Sequence, residues 1–372
     1  MNWNLLCFGL MSFAIALGMT LVNRAAATRR NDLRAVQAMH VRATSRFGGL
    51  AILVAFASAL FLGQIPANSM ITNVLICVLP IFVVGISEDA GWQVRPRWRL
   101  LAAACSSFLV IFVYGSVIDR LGISYIDFVF EQQAIAVAIT VLALMGVSHS
   151  FNLLDGLHGL CGLTAVIIAL ALMLIAVKAG QVNFGLALAL LVAALVGFLA
   201  LNFPWGLVFL GDAGATCLGF ILACTAVNIL NLQPDVAPWA LGLVFFWPIA
   251  DTLLTIARRL KRGRPATHPD RMHFHHVVMR AFEILVQRKK NRAISNPAAT
   301  LILLPMIATP SVTGVLFWNR NDLALTATVV FAALFLATYG AIVRRAKQRR
   351  RMLTAAAPKA IHTLYAHHKV EE

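Results

Sequence analysis

The sequence predicts an all-α, polytopic integral membrane protein of about eleven spanning helices, and three observations carry that expectation. Of the 372 residues, 60% are hydrophobic and 12% charged, whereas a soluble globule carries about a quarter charged residues. Apolar runs of about 20 residues, enough to cross the hydrocarbon core as a helix, recur along the whole chain, and mean hydropathy is +0.81. Finally, 28 of the 31 Lys and Arg residues fall in alternate loops between those runs, as the positive-inside rule requires.

The runs lie near 3–23, 48–66, 70–87, 100–118, 133–148, 160–178, 183–203, 214–231, 237–257, 298–316 and 323–343. The first has its arginines after the apolar stretch, so it reads as a retained anchor, although Arg24-Ala-Ala-Ala-Thr is loosely compatible with a cleavage site. Loops 24–47, 88–99, 149–159, 204–213, 258–297 and 344–372 hold the 28 basic residues; the opposite loops hold Arg120, Lys178 and Arg320. The N-terminus is therefore expected outside and the C-terminus in the cytoplasm. Residues 1–343 are expected to form one transmembrane domain, with 344–372 as a basic cytoplasmic tail. The net charge of +16 is then mostly topology. The Arg344–Arg351 run reads as a stop-transfer flank, with anionic headgroups as its alternative ligand. No nucleic-acid motif is present.

The six cysteines all lie in or beside apolar segments, and none forms a Cys-x-x-Cys pair. Neither a disulfide framework nor a thiolate metal site is supported. Acids behave differently. Glu88, Asp89, Asp155, Asp212, Asp251 and Asp270 all fall at the cytoplasmic ends of helices or in the loops there, and loops 149–159 and 204–213 contain no Lys or Arg. Uncompensated carboxylates converging on one face are what a divalent-cation and phosphate site requires.

Taken in order, Gly48-Gly49 opens a helix and lets another backbone approach closely, with packing as the favoured role. Glu88-Asp89 ends the third span; adjacent carboxylates repel, which suits a general base or metal ligand. Arg95, Arg97 and Arg99 follow, fitted either to grip phosphate oxygens or to mark the cytoplasmic side. In His149-Ser-Phe-Asn-Leu-Leu-Asp155, Asn152 and Asp155 are one helical turn apart and share a face, with an N-cap as the alternative for Asp155. Asp212, between Gly211 and Gly214, precedes a helix whose N-terminal amides favour anions. A Mg²⁺ ion keeps several waters and needs only one or two carboxylates. Asp251 runs into a basic loop and then Asp270-Arg-Met-His-Phe-His-His276. His273, His275 and His276 lack a thiolate partner, and their alternation suits a loop contacting a diphosphate or nucleotide more than a zinc-binding helix face.

These motifs, in this order and spacing from about His40 to His276, resemble the polyprenyl-phosphate N-acetylhexosamine-1-phosphate transferases (glycosyltransferase family 4), most of all the bacterial undecaprenyl-phosphate N-acetylglucosamine-1-phosphate branch. The resemblance implies an enzyme of the bacterial cytoplasmic membrane with its active site on the cytoplasmic face. Its reaction would move N-acetylhexosamine-1-phosphate from a UDP-sugar to undecaprenyl phosphate, release UMP and initiate envelope polysaccharide assembly. By the same resemblance Asp212 is the Mg²⁺ ligand, with Mn²⁺ as an alternative ion, and Glu88 and Asp89 prepare the lipid phosphate. Asn152, Asp155, Arg271, His273, His275 and His276 contact the nucleotide sugar. The partners are the lipid phosphate, the UDP-N-acetylhexosamine and the bilayer, with a homodimer left open and no nucleic acid. The chain departs from the usual pattern at Glu88, His149, His158, Ala215 and Gln37-Ala38. Two alternatives stand beside this reading. A transporter would place acids and broken helices at the membrane midplane in two repeated halves; a catalytically weak, lipid-binding relative would survive loss of Asp212.

Overall fold

The computed structural model of the protein describes the backbone of residues 2–26, 44–62, 70–261, 263, 273–287 and 291–368. The described residues form helices α1 (Asn2–Ala26), α2 (Gly48–Phe61), α3 (Met70–Cys77), α4 (Leu79–Asp89), α5 (Pro96–Tyr114), α6 (Ser124–Asp127), α7 (Gln133–Leu154), α8 (Leu160–Lys178), α9 (Val182–Asn202), α10 (Gly211–Leu232), α11 (Pro238–Val244), α12 (Phe246–Lys261), α13 (Phe274–Phe282), α14 (Arg292–Leu316) and α15 (Asn321–His368). The single extended pairing among them is a parallel bridge between Ser45 and Val208. The chain is an all-helical, multi-span membrane protein.

Among the described residues, eight helices are long and apolar enough to cross a bilayer, or nine when the bent pair α11–α12 counts as one span. The expected eleven differ from this at two places. The described part of α2 has 14 residues, and residues 63–69 lie outside the described set. The run 70–87 is split into α3 and α4 at Val78. Pro80 sits in the first turn of α4 and has no N–H to offer the carbonyl four residues back, so the ladder is interrupted there. A second proline breaks the next irregular pair. Pro248 cannot bond the carbonyl of Val244, and α11 and α12 meet at 77°. The freed Val244 carbonyl instead accepts the Ser311 hydroxyl at 3.1 Å, so the bend does not leave that acceptor orphaned. Gly314 packs against the carbonyl of Ala240 there, where a Cβ would collide.

Helix α10 is the axis of the bundle. All of its residues from Gly211 to Leu230 except Asp212 are buried, and it packs against α2, α4, α7 and α8. Small residues make that approach close. A Cβ on Gly49 would overlap the backbone of Gly214, and one on Gly85 would overlap Ala213. Gly48 and Gly49 donate their amides to Phe209 and Leu210 carbonyls at 2.8 and 3.0 Å. The packing role expected of Gly48-Gly49 is the observed one.

Candidate active site

The N-terminus of α10 is held by two carboxylates from other elements. A helix start leaves its first amides without intrahelical partners. Here Gly211 donates to Asp155 Oδ2 at 3.1 Å, Asp212 to Asp89 Oδ1 at 2.8 Å, and Ala213 to Asp89 Oδ2 at 2.9 Å. Asp89 ends α4 and Asp155 follows α7, so the three backbone donors tie three helices at one point. The turn before them demands Gly211: its φ is +75°, and a Cβ would strike the Arg46 carbonyl and the Asp89 carboxylate. Burial pushes both acids up to about 7, against the pull of the amides, with Asp212 adding repulsion in each case and Arg46 opposing it.

Asp212 is thus not its helix's cap. It is the second residue of α10, and its own carboxylate stays part-exposed, 3.4 Å from Nη2 of Arg99. A small cleft of about 10 Å³ joins them, lined also by Ser148, His149, Thr216 and the apolar walls Ile81, Val84 and Ala103. This space suits roughly one water. His149 Nε2 is buried there without a hydrogen-bond partner. Glu88 lies beside Asp89 in sequence but turns away, accepting the Val94 amide at 2.9 Å.

Can these residues hold a metal? No group of three or more His, Cys, Asp and Glu side chains stands at metal-binding spacing among the described residues. A closed zinc cage is therefore a poor fit. A hard cation that keeps waters and shares substrate phosphates fits Asp212, a part-exposed carboxylate whose oxygens no amide occupies.

The histidine motif forms a second cluster. It was expected in a loop, yet His273 caps α13 and His275 and His276 sit in its first turn. Asp251 is the cause. Its Oδ1 accepts the Phe274 amide at 2.9 Å, starting the helix, and its Oδ2 lies 3.3 Å from His275 Nδ1 and 3.6 Å from His273 Nδ1. All three imidazoles are buried. His275 and His276 ring centroids are 4.2 Å apart, and His275 Nε2 and both ring nitrogens of His276 have no partner. Their Nε2 atoms face the Cα of Gly156, beside Asp155, where an added Cβ would come within 3.4 Å of both. Burial holds His275 and His276 below the ordinary imidazole range; Asp251 partly offsets this.

The structure therefore brings Asp89, Asp155 and Asp212 to one point, and sets His275 and His276 against the next turn of the chain. Asn152 shares the end of α7, half-buried. Arg271 lies outside the described residues. His158 belongs elsewhere: its Nδ1–H donates to the Pro204 carbonyl at 2.8 Å, its amide donates to Asn296 at 2.6 Å, and its carbonyl accepts Thr300. It bolts the α7–α8 turn to the loop before α10 and to α14. Two contributors were not singled out from sequence. Arg99 was one of three equivalent arginines, and Asp251 one of several cytoplasmic acids; Pro248 three residues before Asp251 was the available signal for a bend that aims it.

The glycosyl transferase family 4 model matches residues 71–230, the stretch from α3 to α10 that contains Glu88, Asp89, Asn152, Asp155 and Asp212. Over that stretch the chain is similar to this family. Among its curated relatives, a probable undecaprenyl-phosphate N-acetylglucosaminyl 1-phosphate transferase of Bacillus subtilis is 29% identical over 245 residues, covering 65% of this chain and 67% of the relative. A decaprenyl-phosphate N-acetylglucosaminephosphotransferase of Mycobacterium tuberculosis is 28% identical over 275 residues, covering 64% and 66%. An undecaprenyl-phosphate alpha-N-acetylglucosaminyl 1-phosphate transferase of Yersinia pestis is 27% identical over 247 residues, covering 63% and 65%. The match spans about two thirds of the length of these relatives, and Asp251 and the histidine cluster lie past the end of the stretch matched by the family model.

Proposed function

We propose that the protein transfers N-acetylhexosamine-1-phosphate, in the first instance GlcNAc-1-phosphate, from a UDP-sugar to undecaprenyl phosphate and releases UMP. The observation that carries this is the part-exposed carboxylate of Asp212, bound by no amide and paired only loosely with Arg99, on a helix start that two other acids hold in place. In the reaction an oxygen of the lipid phosphate attacks the β-phosphorus, the bond from that phosphorus to the bridging oxygen breaks, and UMP leaves. Such a transfer needs positioning and charge neutralisation more than covalent help. Asp212 would hold a Mg²⁺ ion, with Mn²⁺ as substitute, and such an ion would supply that charge neutralisation.

The remaining residues position. A phosphate monoester is already largely ionised at neutral pH, its second pKa being about 6, so the acceptor needs little general-base help. Asp89, with both oxygens taken by amides, acts by fixing where Asp212 points. Glu88 holds the turn after α4 by accepting the Val94 amide. Asp155 locks the same helix start, and Asn152 and Arg271 orient the nucleotide sugar. With its Nδ1–H turned to Asp251, neutral His275 offers a lone pair at Nε2 and accepts from a hydroxyl or N–H of the nucleotide sugar rather than from a phosphate oxygen. His273 and His276 complete that wall.

The same reading keeps eleven spans, with the N-terminus outside, the catalytic loops and basic tail of 344–372 in the cytoplasm, and residues 1–343 as one domain in the bacterial cytoplasmic membrane. The α11–α12 break followed by Asp251 is the feature a transporter would also have. Here, however, Asp251 is engaged by α13 rather than facing an open path. The test is purified protein in detergent with undecaprenyl phosphate, Mg²⁺ and a panel of UDP-N-acetylhexosamines. Lipid- and metal-dependent UMP release, lost in Asp212→Asn, is the expected result. No UMP with any donor from folded protein would sink the transferase reading in favour of a lipid-binding relative.

A further inference from the structure

We infer that His149 is a binding residue for the phosphate of the acceptor lipid, acting together with Arg99. The inference rests on the transferase reading and assigns one substrate to one cleft. The cleft between α4, α5, α7 and α10 holds about one water as it stands, so a phosphate would sit at its mouth, where it meets three kinds of group: the Asp212 carboxylate, the Arg99 guanidinium and the His149 imidazole. Asp212 and Arg99 stand 3.4 Å apart, a loose monodentate pair, so most of the guanidinium fork is left for another acceptor. His149 Nε2 is buried without a partner. A buried polar atom left unpaired is costly, and an orphan beside an under-used arginine marks a place where an anion's oxygens belong. With Nε2 protonated, His149 donates to one phosphate oxygen while Arg99 donates to another.

The walls decide which phosphate. Ile81, Val84, Ala102 and Ala103 close the cleft on the α4–α5 side, and the outer faces of those same two helices carry exposed Val83, Leu100, Leu101 and Phe108. A phosphate arriving here arrives past membrane-facing apolar surface, which suits the head of a lipid. The histidine cluster on α13 faces the α7–α8 turn instead and leaves that side to the nucleotide sugar.

The experiment combines two readouts on detergent-purified, full-length protein. The first is equilibrium binding of radiolabelled undecaprenyl phosphate without donor, by scintillation proximity, with farnesyl phosphate and farnesol as competitors. The second is UMP release with each substrate varied in turn. For His149→Leu, loss of a hydrogen bond to a charged group raises both the Kd and the KM for lipid phosphate about tenfold or more, with the donor KM unchanged. His149→Gln, which keeps an N–H, restores most of the affinity, and farnesyl phosphate competes where farnesol does not. Should His149→Leu fold poorly, His149→Ala and the His149→Gln rescue carry the same comparison. An unchanged lipid Kd in a folded variant, a change confined to the donor KM, or competition by farnesol as strong as by farnesyl phosphate overturns the inference. Wild-type protein that binds lipid phosphate through His149 yet releases no UMP would sink the transferase reading and leave this inference standing.

Discussion

The two ends of α10 are built on the same principle and finished differently. A buried helix presents orphan amides at its start and orphan carbonyls at its end, with partial charges of opposite sign. At the start, Asp89 and Asp155 take the amides of Gly211, Asp212 and Ala213. At the end, Arg120 Nη2 donates to the carbonyls of Leu230 and Gln233 at 2.9 and 3.1 Å. Asn231 pairs with the backbone of Val117 through both its amide groups, and Asn228 accepts the Ser116 hydroxyl at 2.7 Å. Every one of those polar side chains at the far end is consumed by closing the fold. At the start, closure consumes two acids and leaves three groups over: Asp212, Arg99 and the Nε2 of His149. Surplus polar chemistry, rather than polarity itself, separates the proposed catalytic end from the structural one.

The largest effect expected from that contrast is at Asp212. Asp212→Asn should lower kcat about 10²–10³-fold, the scale for removing one preorganised electrostatic group, while the melting temperature stays at the wild-type value. A matching loss of stability would show that Asp212 is part of the closure, and the contrast would collapse. Asp89→Ala should do both kinds of damage. It strands two buried amides, at about 1–3 kcal/mol for each unsatisfied group, so thermal unfolding should come earlier and turnover should fall as Asp212 loses its bearing. Full stability in Asp89→Ala with lost activity would return Asp89 to direct chemistry. Asp251→Asn sits next in size: with the carboxylate gone, His275 no longer has a fixed tautomer, and the donor KM should rise about tenfold with the lipid KM unchanged.

What was legible beforehand follows a physical line. Helices that cross a membrane must be apolar for a fixed length, so the runs could be located from composition, although eight or nine of the described helices are of spanning length where eleven were expected, and the acids stood out because their neighbours could not neutralise them. Contacts between separate runs were not legible. Nothing in Gly49 or Gly214 alone says that their backbones touch, and only the pairing makes either glycine necessary. The role of Asp251 depends on a 77° bend whose angle no residue type encodes. The place of His158 was illegible for a related reason. In the sequence it stood out only as a departure from the usual pattern, and it spends its Nδ1–H on Pro204 and its backbone on α14, which are contacts made by residues distant in sequence.

The smallest effect tests the other half of the contrast. Arg120→Ala removes the guanidinium from the carbonyl end of α10, exposing acceptors that water at a part-exposed site can partly satisfy. Stability should fall by about 1–2 kcal/mol, the scale of a charge-assisted hydrogen bond at a helix C-terminus, seen as a lower melting temperature. Activity per folded molecule should not change, because α10 is gripped along its whole length by four helices and its start is held independently by Asp89 and Asp155. Should kcat fall in Arg120→Ala at a temperature where the protein is fully folded, then displacement at one end of α10 reaches the other. The helix would be a rod transmitting position to Asp212, and its two ends would no longer divide into structure and chemistry.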